Sequence, residues 1–359
     1  MDNLAHTLAG AALAKAGLDR RTPLATPTLL IAANLPDVDV LSYLRDPLFA
    51  LTFRRGWTHG ILAMAVLPVM LAAGMAAWDR YVRRRRRPGV APAPVRELLL
   101  VSLVGVLSHP LLDLLNTYGV RLLMPFSSRW FYGDTLFIID PWLWMLLAAT
   151  WLLGTLANGT KQPVIAGRET RRGAQAIGAL ALLYIGVMYA LGQATRAEAA
   201  ADSAALAPGA EPGRTMAAPV PANPFRRAVL FDVGEGYRWA AFDWRSPAPR
   251  LEPASGVIAK NFGEPAVRAA LEHPDARAFL GWSRFPAAAV VPAGVRLYDL
   301  RYADGESDSW ASVLIARASS ARTGCQGYPT TAGSAISRSA GSPAARPRRR
   351  ASRRWSPSK

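Results

Sequence analysis

The sequence is poor in cysteine, histidine and charged residues. Its 359 residues include one cysteine and four histidines, and only 19% of them are charged. Because a single thiol, Cys325, forms no intramolecular disulfide and no thiolate-based zinc site, any metal here must be bound by imidazole and carboxylate groups. The first residues, Met-Asp-Asn-Leu-Ala-His, lack a basic leader before an apolar core, so we expect no cleavable signal peptide.

Apolar residues are abundant instead, at 51% of the chain. Four stretches approach the roughly 20 apolar residues that a membrane-spanning helix needs, at 60–78, 97–116, 136–157 and 174–192. Two shorter stretches, 4–17 and 23–35, would each make a helix only about 20 Å long, which favours a re-entrant or interfacial hairpin. The pattern predicts a mainly α membrane protein with four transmembrane helices and this N-terminal hairpin, followed by a small extra-membrane α+β domain.

Composition divides the chain into four parts. The membrane domain is predicted at 1–193, an Ala/Pro/Gly-rich linker at 194–223, the α+β domain at 224–316 and a disordered basic tail at 317–359. Within the α+β domain, strands are expected at 228–233, 237–244, 288–291 and 295–302, with a helix at 264–272. The abrupt onset of the tail is also consistent with a shifted reading frame.

The distribution of basic residues sets the expected orientation. The net charge is +17, and basic residues gather after the first predicted span, at 83–87, and after the third. By the positive-inside rule both loops are cytoplasmic, which places loop 117–135 and everything after residue 192 in the periplasm. Orientation and anionic lipid explain the basicity, so we expect membrane lipid and no nucleic acid as a partner.

Ionisable side chains are concentrated in the apolar N-terminal half. A charged carboxylate at the centre of a bilayer-spanning helix costs roughly 2.5–3.5 kcal/mol, so such groups usually have partners or a function. His109 and Asp113 are four residues apart, on one face of a predicted span, and Asn116 continues that face. His59 stands at the outer start of the first span, and Asp140 at that of the third. These positions share one membrane face and indicate a common cation site.

Other readings remain open for several of these residues. Asp37 and Asp39 follow a proline and either bind metal or cap the next helix. His6 either joins the site or is a polar residue on an amphipathic helix, and Asp140 either caps its span or supports the ligands. Arg54 and Arg55 lie on the outer side against the positive-inside trend, where they bind an anionic substrate group such as phosphate, or lipid headgroups.

Four motifs resemble those of predicted membrane-bound metal-dependent hydrolases, a family also described as LexA-binding and inner-membrane-associated. The motifs are NLAH at 3–6, NLPDVD at 34–39, RGWTHG at 55–60 and SHPLLD at 108–113 with NTYG at 116–119, and the resemblance covers residues 1–191. It implies a bacterial inner-membrane protein with a divalent-metal centre whose ligands are His6, Asp37, Asp39, His59, His109 and Asp113. No segment of the chain reads as a LexA-binding motif.

The expected function is metal-assisted hydrolysis where the outer, periplasmic face of the inner membrane meets water, with zinc as the metal and manganese as the alternative. Asp37 or Asp39 would bridge metals or act as general base, and Asn116 and Asp140 would support the ligands. The substrate would be a lipid-borne or otherwise amphiphilic ester, such as a phosphoester held by Arg54 and Arg55. The rival interpretations are a non-catalytic protein that binds or transports cations, and a protein whose C-terminal domain carries the function.

Overall fold

The computed structural model describes residues 1–156, 163–206, 215–247, 250–305 and 308–316. The predicted tail with Cys325 lies outside these residues, as does part of the predicted linker, 207–214. The described chain is a mixed structure, in which helices come first and two antiparallel sheets with two further helices follow.

The N-terminal region is helical and begins with a capped helix. Asp2 accepts hydrogen bonds from the backbone N–H groups of Leu4 and Ala5, and Asp46 accepts one from Phe49 at the start of a later helix. The elements are α1 (Asn3–Lys15), α2 (Ala25–Ala32), a 3-10 segment (Leu35–Leu44), α3 (Pro47–Phe53), α4 (Ile61–Arg86), α5 (Val95–Leu114), α6 (Pro141–Leu156) and α7 (Pro163–Leu206).

Three of these helices are long and apolar enough to cross a membrane: α4, α5 and the Arg171–Ala201 part of α7. Three of the four predicted spans are therefore confirmed as candidates. The remaining one, predicted at 136–157, begins later as α6, whose apolar part, Pro141–Leu153, is shorter than a full crossing. The arms of the predicted hairpin are α1 and α2, with 13 and 8 residues, and their relation to the bilayer stays a prediction.

The helices pack as two pairs, α4 with α5 and α6 with α7, which α1 and α2 join. Close approach at this junction depends on two glycines. A Cβ atom on Gly10 would lie 2.8 Å from the Leu29 carbonyl oxygen, and one on Gly105 would lie 2.5 Å from the Ala32 Cβ. Without side chains at these two positions, α1 and α5 both lie directly against α2.

The C-terminal region is a small α+β structure, as predicted. One sheet has the order β1-β2-β3-β4 with β5 also paired to β3, and the other has the order β6-β7-β8. All pairings are antiparallel. The elements are β1 (Met216–Val220), β2 (Asn223–Asp232), β3 (Gly236–Asp243), β4 (Glu252–Pro253), β5 (Ile258–Ala259), α8 (Pro265–Leu271), α9 (Pro274–Trp282), β6 (Pro286–Val291), β7 (Gly294–Asp299) and β8 (Ser312–Ala316).

The strand and helix predictions here correspond to β2, β3, β6, β7 and α8, whereas α9 was not predicted. The segment interpreted as a linker also contains regular structure, because α7 continues to Leu206 and β1 begins at Met216. Alanine favours helix, and the alanine-rich composition that suggested a linker therefore also suits the end of a long helix.

The two regions are joined by a shared core and by buried polar contacts. Leu51 of α3 and Tyr118 pack in one apolar cluster with Phe279 and Trp282 of α9. The guanidinium group of Arg227, which is fully buried, donates to the Met188 carbonyl of α7. These contacts hold the sheets against the end of the helix bundle at which α4 begins and α5 ends.

Candidate metal centre

Four buried side chains converge where the 3-10 segment, the turn before α4 and the end of α5 meet. One ligand atom from each of Asp37, His59, His109 and Asp113 lies within 4.8 Å of the other three. The 3-10 segment supplies Asp37, and the turn before α4 supplies His59. His109 and Asp113 share one face of α5 because they are four residues apart, as predicted.

The distances between these atoms fit a single tetrahedral ion. His59 Nε2 lies 3.1 Å from His109 Nε2, and the two nitrogens lie 3.8 and 3.6 Å from Asp37 Oδ1. Asp113 Oδ2 is 3.2 and 3.5 Å from the same nitrogens. Bonds of about 2.0–2.2 Å to zinc place neighbouring ligand atoms about 3.3–3.6 Å apart in a tetrahedron. The five distances scatter around that range.

Hydrogen bonds on the far side of each imidazole fix which nitrogen faces the centre. His109 Nδ1 lies 2.6 Å from the Ala33 carbonyl oxygen, which only accepts, so Nδ1 carries the proton. His59 Nδ1 lies 2.9 Å from the Thr58 hydroxyl and 3.4 Å from Asp39 Oδ2. Thr58 donates its own proton to Asp39, and it therefore accepts from His59. When both rings are neutral, both Nε2 atoms present lone pairs to each other, an arrangement that a cation between them stabilises.

The carboxylates show the same lack of protein partners at the centre. Asp37 Oδ1 and Asp113 Oδ2 are buried and accept no hydrogen bond within the described part of the chain. Three of the four histidine–carboxylate distances are 3.5 Å or more, too long for good hydrogen bonds. Burial lowers the pKa of His59, which keeps this ring neutral as a ligand must be. The donor set, two imidazoles and two carboxylates, suits zinc.

The structure places Asp39 behind His59 instead of at the centre. Its Oδ2 atom accepts from the Arg55 backbone N–H at 2.8 Å and from the Thr58 hydroxyl at 3.0 Å. Its Oδ1 atom accepts from Arg54 Nε at 3.3 Å. Since both oxygens have these partners, Asp39 orients His59 and fixes the turn.

His6 lies beside the four ligands. Its ring stacks on His109 with centroids 3.7 Å apart, and its Nε2 atom is 3.3 Å from Asp113 Oδ1. The amino group of Met1 also contacts Asp113 Oδ1. His6 is therefore part of the site, where it lies against Asp113 Oδ1, while His59 and His109 lie against Asp113 Oδ2.

The two arginines contact the acidic residues of the site. Arg55 Nη2 lies 3.1 Å from Asp113 Oδ1, and Arg55 Nη1 donates to Asn116 Oδ1 at 3.1 Å. Asn116 thus supports the site through Arg55. The Arg54 nitrogens that point away from Asp39 have only long contacts, 3.5 Å to the Tyr43 hydroxyl and 3.9 Å to Asp37.

Asp140 does not contact the ligands, which was one of its two predicted roles. Both of its oxygens accept from the Tyr184 hydroxyl, at 3.1 and 3.0 Å, and one accepts from the Leu143 backbone N–H. These bonds cap α6 and tie it to α7, which matches the alternative reading of this residue as a cap.

A pocket of about 300 Å³ is lined by the two arginines that contact the acidic ligands, and none of the four ligands lines it. Arg54, Arg55 and Tyr43 line it from the membrane region, and Trp310 lines it from the C-terminal region. The sequence pattern predicted the two arginines but not Trp310, because no local signal connects a residue before β8 with a turn 250 positions earlier. Thr58 was also missed, although it immediately precedes His59 in the RGWTHG motif.

Comparison with known proteins places the N-terminal region in a family. Over 128 residues the chain is 26% identical to the uncharacterized protein YfhP of Bacillus subtilis (strain 168), which covers 35% of this chain and 36% of that protein. No solved structure matches the chain. Residues 1–195 match the model of the YdjM inner membrane protein family. Neither description names a reaction. Because this match covers more than half of its length, the chain belongs to the YdjM inner membrane protein family.

Proposed function

We propose that this inner membrane protein is a zinc-dependent hydrolase whose metal is held by Asp37, His59, His109 and Asp113. The observation that carries the proposal is the pair of Nε2 atoms facing each other at 3.1 Å beside two buried carboxylate oxygens that accept no hydrogen bond from the described residues. A bound zinc ion supplies Lewis acidity that polarises a scissile ester group. Manganese is the alternative metal.

Catalytic zinc sites keep one position open, whereas structural sites are closed by four protein ligands. Asp37 is the ligand best suited to give way. It comes from the 3-10 segment, and its Oδ1 atom accepts no hydrogen bond from the described residues. The other three ligands have such contacts: His59 and His109 through their Nδ1 atoms, and Asp113 through Arg55. We therefore assign Asp37 as the residue that yields to substrate and serves as general base.

The remaining predicted residues act on these four. Asp39 orients the His59 ring, and Asn116 holds Arg55 against Asp113. His6 packs on the His109 ring, and its Nε2 atom lies 3.3 Å from the second oxygen of Asp113. This assignment changes the role of Asp39 from ligand or base to a positioning residue.

Arg54 is the better candidate of the two arginines for an anionic substrate group. Arg55 is already paired with Asp113, whereas the terminal nitrogens of Arg54 have only weak contacts and line the pocket. A phosphoester or another anionic ester of an amphiphile, lying at the membrane–water boundary, fits this charge. We infer this substrate class from the charge and the position of the pocket.

We propose the predicted topology in full: four spans including α6, a re-entrant or interfacial hairpin of α1 and α2, and a periplasmic C-terminal domain. The proposal is supported by the placement of charge, since the arginines of 83–87 end α4 while His59 precedes it. It is also supported by the contacts of the sheets, which pack near the outer ends of α5, α6 and α7.

The test uses the purified protein in nanodiscs with one equivalent of zinc and a panel of phosphate and carboxylic esters. We expect hydrolysis of one ester class, loss of that hydrolysis on chelation, and recovery with zinc. The Asp37→Asn variant should retain zinc and lose hydrolysis, whereas Asp275→Asn, an exposed carboxylate of α9, should behave as wild type.

A second candidate function has its own observation. Four protein ligand atoms are enough to close a zinc site, which suits a protein that binds or transports a cation without catalysis. Bound zinc, inactivity on the whole ester panel and zinc flux into liposomes that is lost in His109→Ala would select this candidate over the hydrolase.

A further inference from the structure

The 3-10 segment Leu35–Leu44 has one polar and one apolar side. Asp37 faces the metal centre, Asp39 bonds the turn that carries His59, and the two are 6% and 2% exposed. Val38, Leu41 and Leu44 recur every three residues and are exposed, Leu44 by 85%. A 3-10 helix has three residues per turn, so these three side chains form one continuous apolar stripe.

Exposed apolar side chains also occur in the turn to which Asp39 of this segment is hydrogen-bonded, and beyond it. The turn before α4 exposes Trp57, and α4 itself begins with exposed Ile61. The Ile61 backbone N–H donates to the Leu122 carbonyl at 2.9 Å, and this bond joins the start of α4 to the loop that contains Phe126. Phe126 is 83% exposed. We call Val38, Leu41, Leu44, Trp57 and Phe126 the outer rim.

Soluble proteins rarely expose large apolar side chains in such numbers within one region, and such regions mark sites of contact with a protein or a membrane. The outer rim instead continues the exposed apolar side of α4, a candidate membrane span, and tryptophan is typical of the membrane interface. The lipid bilayer that surrounds α4 is therefore the surface that the rim meets.

Positive charge next to the rim also indicates that the rim contacts the lipid bilayer. Arg45 directly follows Leu44, and Arg129 lies three residues after Phe126; both arginines are exposed. Arginine beside an apolar surface keeps its stem on that surface and reaches with its guanidinium group to phosphate headgroups. This arrangement also accounts for arginines on the side that the positive-inside rule leaves poor in them.

We propose that the outer rim is seated in the outer leaflet of the membrane, so that the segment carrying Asp37 and Asp39 lies at lipid headgroup level. Its consequence for substrate, which rests on the proposed function, is that the metal centre takes its ester from a lipid lying in that leaflet. Three rim residues and the ligand Asp37 belong to one ten-residue segment, and an ester bond at headgroup depth is then level with Asp37.

The test is nitroxide accessibility in nanodiscs of phosphatidylethanolamine and phosphatidylglycerol. In a Cys325→Ser background, single labels are placed by Leu44→Cys and Phe126→Cys. The references are Leu182→Cys, exposed on the candidate span of α7, and Glu272→Cys, exposed after α8. Power saturation then compares collision with oxygen, which concentrates in lipid, and with a nickel chelate, which stays in water.

We expect the two rim labels to follow Leu182, with oxygen collisions exceeding nickel collisions, while Glu272 shows the reverse. Rim labels that follow Glu272 overturn the proposal, and so do labels shielded from both agents, which would mean that protein covers the rim. Zinc content measured on the same samples separates the two hypotheses. Water-like rim labels with zinc bound reject the rim alone, whereas lipid-like labels without zinc reject the metal centre alone.

Discussion

The Gly105→Ala variant tests how strictly the packing of α5 on α2 positions the metal ligands. The new Cβ would lie 2.5 Å from the Ala32 Cβ, whereas carbon atoms in ordinary contact are about 3.5–4.0 Å apart. The two helices must therefore separate by about 1 Å. His109 lies one turn further along α5, and its Nδ1 bond to Ala33, now 2.6 Å, crosses the same contact.

This displacement should affect metal binding more than stability. Overpacking costs roughly 1–3 kcal/mol, and alanine recovers about 1 kcal/mol of helix propensity, so the net loss of stability is about 0–2 kcal/mol. Ligand distances in metal sites are maintained within about 0.2 Å, and a shift of 1 Å in one imidazole exceeds that tolerance several times. We expect zinc affinity to fall at least about tenfold, which corresponds to about 1.4 kcal/mol.

The assay is a competition titration of the metal-free protein in nanodiscs against a fluorescent zinc chelator. Gly74→Ala is the matched control, because a Cβ on this glycine of α4 meets no atom within 4 Å of the described structure. It should leave zinc affinity unchanged. Equal affinities for Gly105→Ala, Gly74→Ala and wild type would refute the reasoning that the α2–α5 contact positions His109.

Three further predictions concern the residues around the ligands and the C-terminal region. Asp39→Asn should weaken zinc binding by about 10–100-fold without abolishing it, because Asp39 only orients His59, and a loss as complete as that in His109→Ala would show that it is a ligand. Arg301→Ala should destabilise the protein by about 3 kcal/mol, measured as a lowered thermal midpoint, because it leaves the buried Asp299 carboxylate without its cation; an unchanged midpoint would contradict this. Burial opposes ionisation of Asp299, but Arg301 outweighs it and holds the pKa of this carboxyl below 3.8, so its contribution is present above that pH and is lost as the pH falls through the lower, folded-state value. Acid titration of wild type should show this loss and Asp299→Asn should not.

The sequence was informative where the chemistry is local. Helical spacing placed His109 and Asp113 on one face. The free-energy cost of a charged group in an apolar segment indicated that both belong to one functional site. For His59 and Asp37 the residues alone left other readings open and the resemblance to a family favoured metal binding; the structure brings both to the same point. Long apolar runs predicted α4, α5 and the apolar middle of α7, because length and hydropathy are read directly from the chain.

Contacts between distant segments were beyond such reasoning. Spacing alone does not show that Asp39 turns toward the far nitrogen of His59, or that Arg55 pairs with Asp113. The position of Trp310 at the pocket depends on the packing of α9 against α3, which has no local signature. Asp140 precedes a proline at a helix start, which is a local signal for a helix cap, and the structure follows this signal. The predicted nearness of Asp140 to the other acids was a weaker guide.

The most direct test of the central claim is the zinc content of protein purified from cells, measured for wild type and for His109→Ala. His273→Ala is the control, since this histidine lies exposed at the start of α9 and far along the chain from the cluster. The account predicts about one zinc per chain in wild type and in His273→Ala, and little zinc in His109→Ala. Equal zinc content in all three proteins would contradict it.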